Sequence, residues 1–340
     1  MSETSSLRVE EITSWDTLES LRDEWSALCD RSTRATPFQR PEWLLPWGRC
    51  FPPGEPWILA AREGERLVAL APWLLYTNEG KKTVAFCGGG VSDYLDVIID
   101  PDIEEQAMKT LLDHLALHRD RWEICDFEPV PDDSPLLQAS PPGFEARTEP
   151  RDVSPVLDLP DRIEDLRDVV PTRQLANLRK YRRKAEALGA LRLERADETN
   201  WEKPLAVLIR FYTARRTELG EPGMLDGDAL RAFHCQVATE FQSRGSLGLY
   251  AFFLNGEPMA ALYGFQERET FYCYMQGFDS AHAGLSPGVM LVGGVIEDLT
   301  RRGVKRVDFL RGREPYKYWW GARDREAFRR TLAPAPQSAS

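Results

Sequence analysis

TFYCYMQGFDSAHAGLSPGVMLVGGVIEDLTRRGVKRVDFL, residues 270–310, reads as strand, break, helix and strand. The aromatic run over 270–279 predicts the first strand. Ser286-Pro287-Gly288 stands directly before an apolar run, which is how a helix is started, and the pattern predicts a helix over 287–301. VKRVDFL, 304–310, predicts the second strand. Gly293 and Gly294 lie inside the helix and cost it about 1–2 kcal/mol against alanine. Close packing of the helix on a sheet is the expected return.

The reading extends outward from this α/β unit. Residues 247–265 form a hairpin pattern with Asn255-Gly256 at the turn, a strong hairpin dipeptide. The first half of the chain shows the same order. A hairpin over 57–76 turns at Gly64, and a strand-like stretch over 83–100 is broken by Gly88, Gly89 and Gly90. A helix over 104–118 and a strand over 122–130 follow. The final strands share Asp-Phe, at Asp126-Phe127 and at Asp308-Phe309, and the order repeats over 62 residues (Gly64 to Asp126) and 52 (Gly256 to Asp308). This predicts a tandem pseudo-repeat of one α/β unit. Around it the sequence predicts helices over 15–29, 172–189, 201–219 and 228–244. The Pro- and Trp-rich segment 37–57 predicts a helical turn and a loop. A Pro- and Asp-rich stretch, 129–160, contains the domain boundary.

Composition narrows the function classes. A chain of 340 residues with 42% hydrophobic side chains can bury a sizeable core. Its net charge of −11 makes it a poor general binder of nucleic acid or anionic membrane, so DNA is not an expected partner. The six cysteines contain no C-x-x-C pair and predict reduced, mostly buried thiols in a cytoplasmic protein. There is no signal-peptide pattern and no apolar run of membrane-spanning length. The tail, 331–340, is expected to be disordered. His114 and His118 share a helix face and have the spacing of a metal pair, but no further ligand motif accompanies them. They read as an exposed face, and no metal is assigned.

The order N-G-x-P-x-A-A hairpin, aromatic strand, G-F-D (277–279), S-P-G (286–288), apolar helix and D-F-L-x-G-x-x-x-Y-K (308–317) resembles the tandem GNAT-like acyltransferases. Within them it is most similar to the CelD/BcsL type linked to cellulose and exopolysaccharide biosynthesis, relatives of the FemX-type aminoacyl transferases. The resemblance covers residues 10–325 and includes Asp93-Tyr94 in the first half. It implies an α/β (α+β) fold of two tandem GNAT-like domains with mixed sheets flanked by helices. The first, 8–150, is on the acceptor side and has no coenzyme A site. The second, 151–330, is the acyltransferase. The implied reaction moves an acyl group, acetyl in the simplest case, from acyl-CoA as co-substrate to an amine or hydroxyl of a sugar-like or nucleotide-linked acceptor. No tightly bound cofactor is implied. A FemX-like transfer from aminoacyl-tRNA and a non-catalytic glycan-assembly or scaffold role are the alternatives. tRNA is the less expected partner, because one basic helix is a small surface for it. The chain departs from the usual GNAT pyrophosphate loop, with HAGLSPG (282–288) lacking its Arg or Gln.

Candidate residues follow from both sources. The helix start at Ser286 offers unpaired N–H groups and a partial positive charge to a phosphate, from Gly288, Val289 and Met290, or it is only a capped helix start. Gln276 and Gly277, at the end of the preceding strand, join this cofactor set. Tyr316 stands where the resemblance implies a tyrosine acid for the leaving thiolate. Lys317 is read as an oxyanion or phosphate ligand, and Glu314 or Asp308 as the base, with Asp308 equally suited to a buried turn. Trp319 and Trp320 read as a wall. Asp93 orients an acceptor beside Tyr94, or caps a turn. Between Arg173 and Lys184 there are six basic residues and no acid. Arg179 and Arg183 share a face there and, with Arg311, are assigned to substrate phosphates, against the reading of a solvated face.

Overall fold

The computed structural model describes residues 6–51, 54–220 and 227–335. The chain forms two compact units, Met1–Asp152 with Glu326–Ser340, and Val153–Arg325.

In the first unit, β1 (Arg8–Ile12) leads into two short helices, α1 (Trp15–Ser20) and α2 (Arg22–Arg31), where the sequence predicts one. The break comes at Leu21, whose N–H bonds the Leu18 carbonyl, a tighter turn than the α-helix makes. The Pro- and Trp-rich segment is more helical than expected. It holds α3 (Pro41–Cys50), started by a proline whose missing N–H is not needed there. Residues 52–53 of the expected loop lie outside the described residues. Then follow β2 (Glu55–Pro56), β3 (Ile58–Glu63), β4 (Arg66–Ala71), β5 (Trp73–Asn78), β6 (Lys81–Phe86), β7 (Ile98–Ile99), α4 (Glu104–Leu117) and β8 (Ile124–Pro131). One antiparallel sheet has the order β1-β3-β4-β7, and β2, β5, β6 and β8 are neighbours in another. Within it β6 and β8 are parallel, joined over α4. The apolar stripe Met108, Leu111, Leu112 and Leu115 of α4 is buried with Trp57, Trp73 and Phe127.

The chain enters the second unit within β9 (Phe144–Asp158). Here α5 (Leu166–Val169), α6 (Thr172–Glu186), β10 (Leu191–Arg195), α7 (Glu202–Leu219) and α8 (Asp228–Ser243) precede the sheet hairpin β11 (Leu247–Leu254) and β12 (Glu257–Glu267). The turn between them has positive φ at Asn255 (52°) and Gly256 (84°), the conformation that favours this dipeptide. Next come β13 (Thr270–Phe278), α9 (Pro287–Arg301), β14 (Arg306–Asp308) and α10 (Pro315–Trp319). The strand order is β10-β11-β12-β13-β14-β9, antiparallel throughout except for the β13–β14 pair. The predicted order of strand, helix and strand is therefore present in both units as a parallel pair with a helical crossover. The first unit differs in placing its β3–β4 hairpin in a separate sheet.

The last strand, β15 (Arg323–Pro334), carries the chain back to the first unit, where it pairs antiparallel with β8 from Ala327 to Leu332. This corrects the expected tail. Residues 331–334 are strand and Leu332 is fully buried, so the apolar residue, not the Pro-rich composition after it, decides. Residues 336–340 lie outside the described residues.

The parallel pairing of β13 and β14 covers only Thr270–Tyr272 against Arg306–Asp308. Beyond it β13 continues to Phe278, while the other chain stays with β9. Phe309 donates to the Pro155 carbonyl and Gly312 to that of Val153. A turn fixes this departure. Asp308 accepts from the Leu310 N–H at 2.8 Å, and Leu310 takes the left-handed φ of 57°. Lys317 Nζ then donates to the carbonyls of Leu310, Arg311 and Gly312 at 2.8, 2.7 and 3.1 Å, and pairs with Glu314 at 2.8 Å.

α9 packs through its glycines. A Cβ on Gly294 would stand 2.8 Å from Leu193 of β10, as the expected approach to the sheet requires. Gly293 serves a different neighbour: a Cβ there would meet both Leu178 methyls of α6 at 2.7 Å and Trp320 at 2.8 Å. Gly293→Ala is therefore expected to lower stability by about 1–3 kcal/mol through overpacking, although alanine favours a helix by about 1 kcal/mol. A urea titration checks it, with a lower midpoint at unchanged slope as the expected result. Lys317→Met should remove about 3 kcal/mol, because three carbonyls lose their donor. The same titration, with unchanged stability as the contrary outcome, tests that.

Candidate active site

The gap where β13 and β14 part opens into a cavity of about 720 Å³ in the second unit. Its lining comes from Gln276, Gly277 and Phe278 at the end of β13, from Ser286 to Val289 at the start of α9, and from Glu314, Tyr316, Trp319 and Trp320 around α10. Tyr212 of α7, Ala283 and Leu291 complete it. Of the sequence-predicted residues, the fold brings Gln276, Gly277, Ser286, Gly288, Val289, Glu314 and Tyr316 together here. The two tryptophans form the wall expected of them.

Burial raises the pKa of the Tyr316 phenol well above its ordinary value, and the nearby Cys273 and Glu314 act in the same direction. A hydrogen bond with the Gln276 side chain acts against this without reversing it. Tyr316 therefore holds its proton throughout the neutral range. The Gln276 Oε1 atom is buried, Gln276 lines the cavity, and that atom has no hydrogen-bond partner among the described residues.

The helix start is open in one respect and closed in another. Ser286 sits at φ 50°, ψ 59°, left-handed for a non-glycine residue, and its side chain makes no capping bond. Ser286 lines the cavity, and its hydroxyl does not cap the helix. Its carbonyl, however, accepts from both the Val289 and Met290 N–H groups, at 3.0 and 3.3 Å. This corrects the expectation that those two groups face a ligand. The Met290 side chain is also fully buried in the core. Pro287 has no N–H, so Gly288 carries the remaining unpaired donor of the first turn. A Cβ there would meet only Phe278, at 3.9 Å. Gly277 lines the cavity but owes its lack of a side chain to packing. A Cβ would stand 3.0 Å from Phe211 Cβ and from the Tyr212 backbone of α7.

Other assignments are corrected. Lys317 is 3% exposed, and the backbone carbonyls and Glu314 occupy its ammonium, so it has no capacity for an oxyanion or phosphate. Asp308 is buried, bonds the Leu310 N–H and does not line the cavity, which is the turn role. Tyr94 is fully buried in the first unit, its ring beside Phe38 at 6.4 Å, and offers no surface to a substrate. Asp93 also belongs to the first unit and is not part of the lining. Arg311 is exposed outside the cavity and contributes its carbonyl to the Lys317 cage. Arg179 and Arg183 lie on the exposed face of α6, also outside the lining, and make no ion pair among the described residues. Lys184 of the same helix donates to the Gly284 carbonyl, at 2.8 Å, in the loop before α9. Tyr212 was missed by sequence reasoning. Its only signal is its position beside the core residue Phe211 on an amphipathic helix.

Residues 172–318 match the family model described as an acetyltransferase (GNAT) domain. No curated protein matches the chain in sequence. Among solved structures, FemX superposes with a TM-score of 0.66 at 11% identity, covering 95% of this chain and 96% of its own. The C-terminal domain of a putative lysylphosphatidylglycerol synthetase from Agrobacterium fabrum gives 0.59 at 10% identity, covering 94% and 93%. A tandem GNAT protein from the clavulanic acid biosynthesis pathway gives 0.50 at 16% identity, covering 98% and 100%. At these identities the likeness is one of fold. Within that tandem GNAT-like fold, residues 172–318, which match the acetyltransferase (GNAT) domain model, hold all of the cavity lining except Trp319 and Trp320.

Proposed function

We propose that the chain is an acyltransferase that moves an acyl group, acetyl in the simplest case, from acyl-CoA to an amine or hydroxyl acceptor in this cavity. The observation that carries the reading is the half-buried, protonated Tyr316 in the same cavity as a helix start with an uncommitted hydroxyl and N–H. The Ser286 hydroxyl, the Gly288 N–H and the positive end of α9 suit a diphosphate without the usual Arg or Gln. The acceptor attacks the thioester carbon directly. Its nitrogen or oxygen forms the new bond as carbon–sulfur breaks, Glu314 takes the acceptor's proton, and Tyr316 donates one to the leaving sulfur. Cys273 is not a nucleophile in this scheme. Burial pushes its thiol up to about 12, with the Lys317 charge acting against it, so the thiolate is absent at neutral pH. Trp319, 52% exposed, offers a flat aromatic face that suits a sugar-like or nucleotide-linked acceptor of the CelD/BcsL kind.

One observation favours a second reading. The exposed face of α6 presents Arg173, Arg179, Lys180 and Arg183 with no acid between Arg173 and Lys184, which suits a larger polyanionic donor such as aminoacyl-tRNA. Filter binding with tRNA against calorimetry with acetyl-CoA separates the two. Absence of both would leave the non-catalytic reading.

Tyr316→Phe should lower kcat by about 10²–10⁴-fold with little change in acetyl-CoA affinity. Because the phenol's pKa is raised, wild-type kcat should show no basic limb from Tyr316 up to about pH 10, the ordinary phenol value. Full activity in Tyr316→Phe removes this assignment. Gly288→Val should weaken acetyl-CoA binding about tenfold or more while leaving stability unchanged or higher, since a side chain there has room but covers the N–H. Calorimetry paired with thermal melting reads both effects.

A further inference from the structure

The first unit holds a second cluster of chemistry-bearing side chains. His114 lies in the last turn of α4 and His118 is the residue that ends that helix, with their rings 4.4 Å apart. The sequence offers them no third ligand, but the fold does. Glu11 of β1, 103 residues before His114, places Oε1 at 2.8 Å from His114 Nε2 and 3.4 Å from His118 Nε2. One potential ligand atom of each residue lies within 4.8 Å of the others. Ligand atoms around a tetrahedral zinc ion stand about 3.3–3.5 Å apart. The Glu11–His118 spacing of 3.4 Å already has that value, and the Glu11–His114 spacing of 2.8 Å must widen.

The hydrogen bonds around the trio favour a cation. His118 Nδ1 is 2.9 Å from the His114 carbonyl oxygen, a contact only an N–H can make. In a neutral imidazole this leaves the lone pair on Nε2, facing the Glu11 carboxylate. Two lone pairs facing each other at that distance repel unless a proton or a metal ion lies between them. Arg121 donates to the other Glu11 oxygen, Oε2, at 2.8 Å, which leaves Oε1 for the ion. The Trp57 ring packs edge-on to His118 at 6.1 Å and lies under Arg121 at 4.6 Å. Glu11 is thus oriented by Arg121 and His118 by the His114 backbone carbonyl, the kind of outer hydrogen bonding that sets geometry in metal centres. The three side chains are 17–35% exposed, so solvent can reach them and supply a fourth ligand.

We propose that Glu11, His114 and His118 form a binding site for a divalent transition ion of the zinc class, which ties β1 to α4. His114 gives up the proton it shares with Glu11 when the ion binds, and both histidines ligate through Nε2. The test uses the full chain stripped with a chelator and titrated with ZnCl2 by calorimetry and thermal melting. One ion per chain should bind and raise the melting temperature, with proton release that varies with buffer. Co²⁺ at the same site should give the visible absorption of a four-coordinate complex. His118→Ala and Glu11→Gln should each bind zinc at least about tenfold more weakly. His282→Ala, which alters a histidine beside Asp279 in the other unit, should bind normally. Circular dichroism and the metal-free melting temperature establish that the variants are folded. No binding by the wild-type chain, or equal binding by folded His118→Ala or Glu11→Gln, overturns the proposal and leaves the trio as a hydrogen-bonded cluster.

Discussion

A parallel strand pair that lasts only three residues governs the second unit. Where β14 leaves β13, the sheet can no longer fill the space beside Gln276 to Phe278, and the cavity occupies it. The departure is imposed by backbone bonding. The chain after Asp308 continues its hydrogen bonds with β9, and a left-handed Leu310 turns it. Two charged side chains that look chemical in sequence maintain that geometry. Asp308 holds the turn and Lys317 gathers three carbonyls that have no strand partner. A buried charge needs this degree of hydrogen bonding to be tolerated, and a loop rich in orphan carbonyls supplies it.

The two crossover helices start in different electrostatic settings. Before α4, Asp100 accepts from the Asp102 N–H and is paired with Arg31 and Arg66, and the first turn carries Glu104 and Glu105. Acidic groups of the protein already meet the positive end of that helix, so a phosphate would be repelled. Before α9 there is no acid in the first turn, and Ser286 does not cap it. The same topological position carries acids in its first turn in one unit and none in the other.

Much of this was legible because it rests on local pattern. Asn255-Gly256 permits one kind of turn, and Ser286-Pro287-Gly288 before an apolar run gives α9 the bounds 287–301 that the spacing predicts. Tyr316 and Glu314 were identifiable because they follow a strand end, and Gln276 because it stands near the end of one. What sequence could not supply was distance across the fold. Tyr212 reaches the cavity only because α7 crosses β13 at Gly277. Glu11 meets His114 only through the packing of β1 near α4. Met290 and Tyr94 went wrong for the complementary reason: each sits beside a motif residue in sequence while its side chain turns into the core. Lys317 misled because charge type says nothing about whether a backbone has already claimed it.

The strand that β14 follows has a consequence for the borders of residues 172–318, the stretch that matches the GNAT domain model. Val156 to Asp158 of β9 pair with β14, yet they precede residue 172, where the family match begins. Cut out along that match, β14 would present a bare strand edge, and the turn at Leu310 would lose the carbonyls that guide it. The region recognisable by family is therefore smaller than the region that can stand as a folded body. Grafting or recombination at its borders would yield an adhesive fragment, and viable exchange requires a border placed upstream of residue 153.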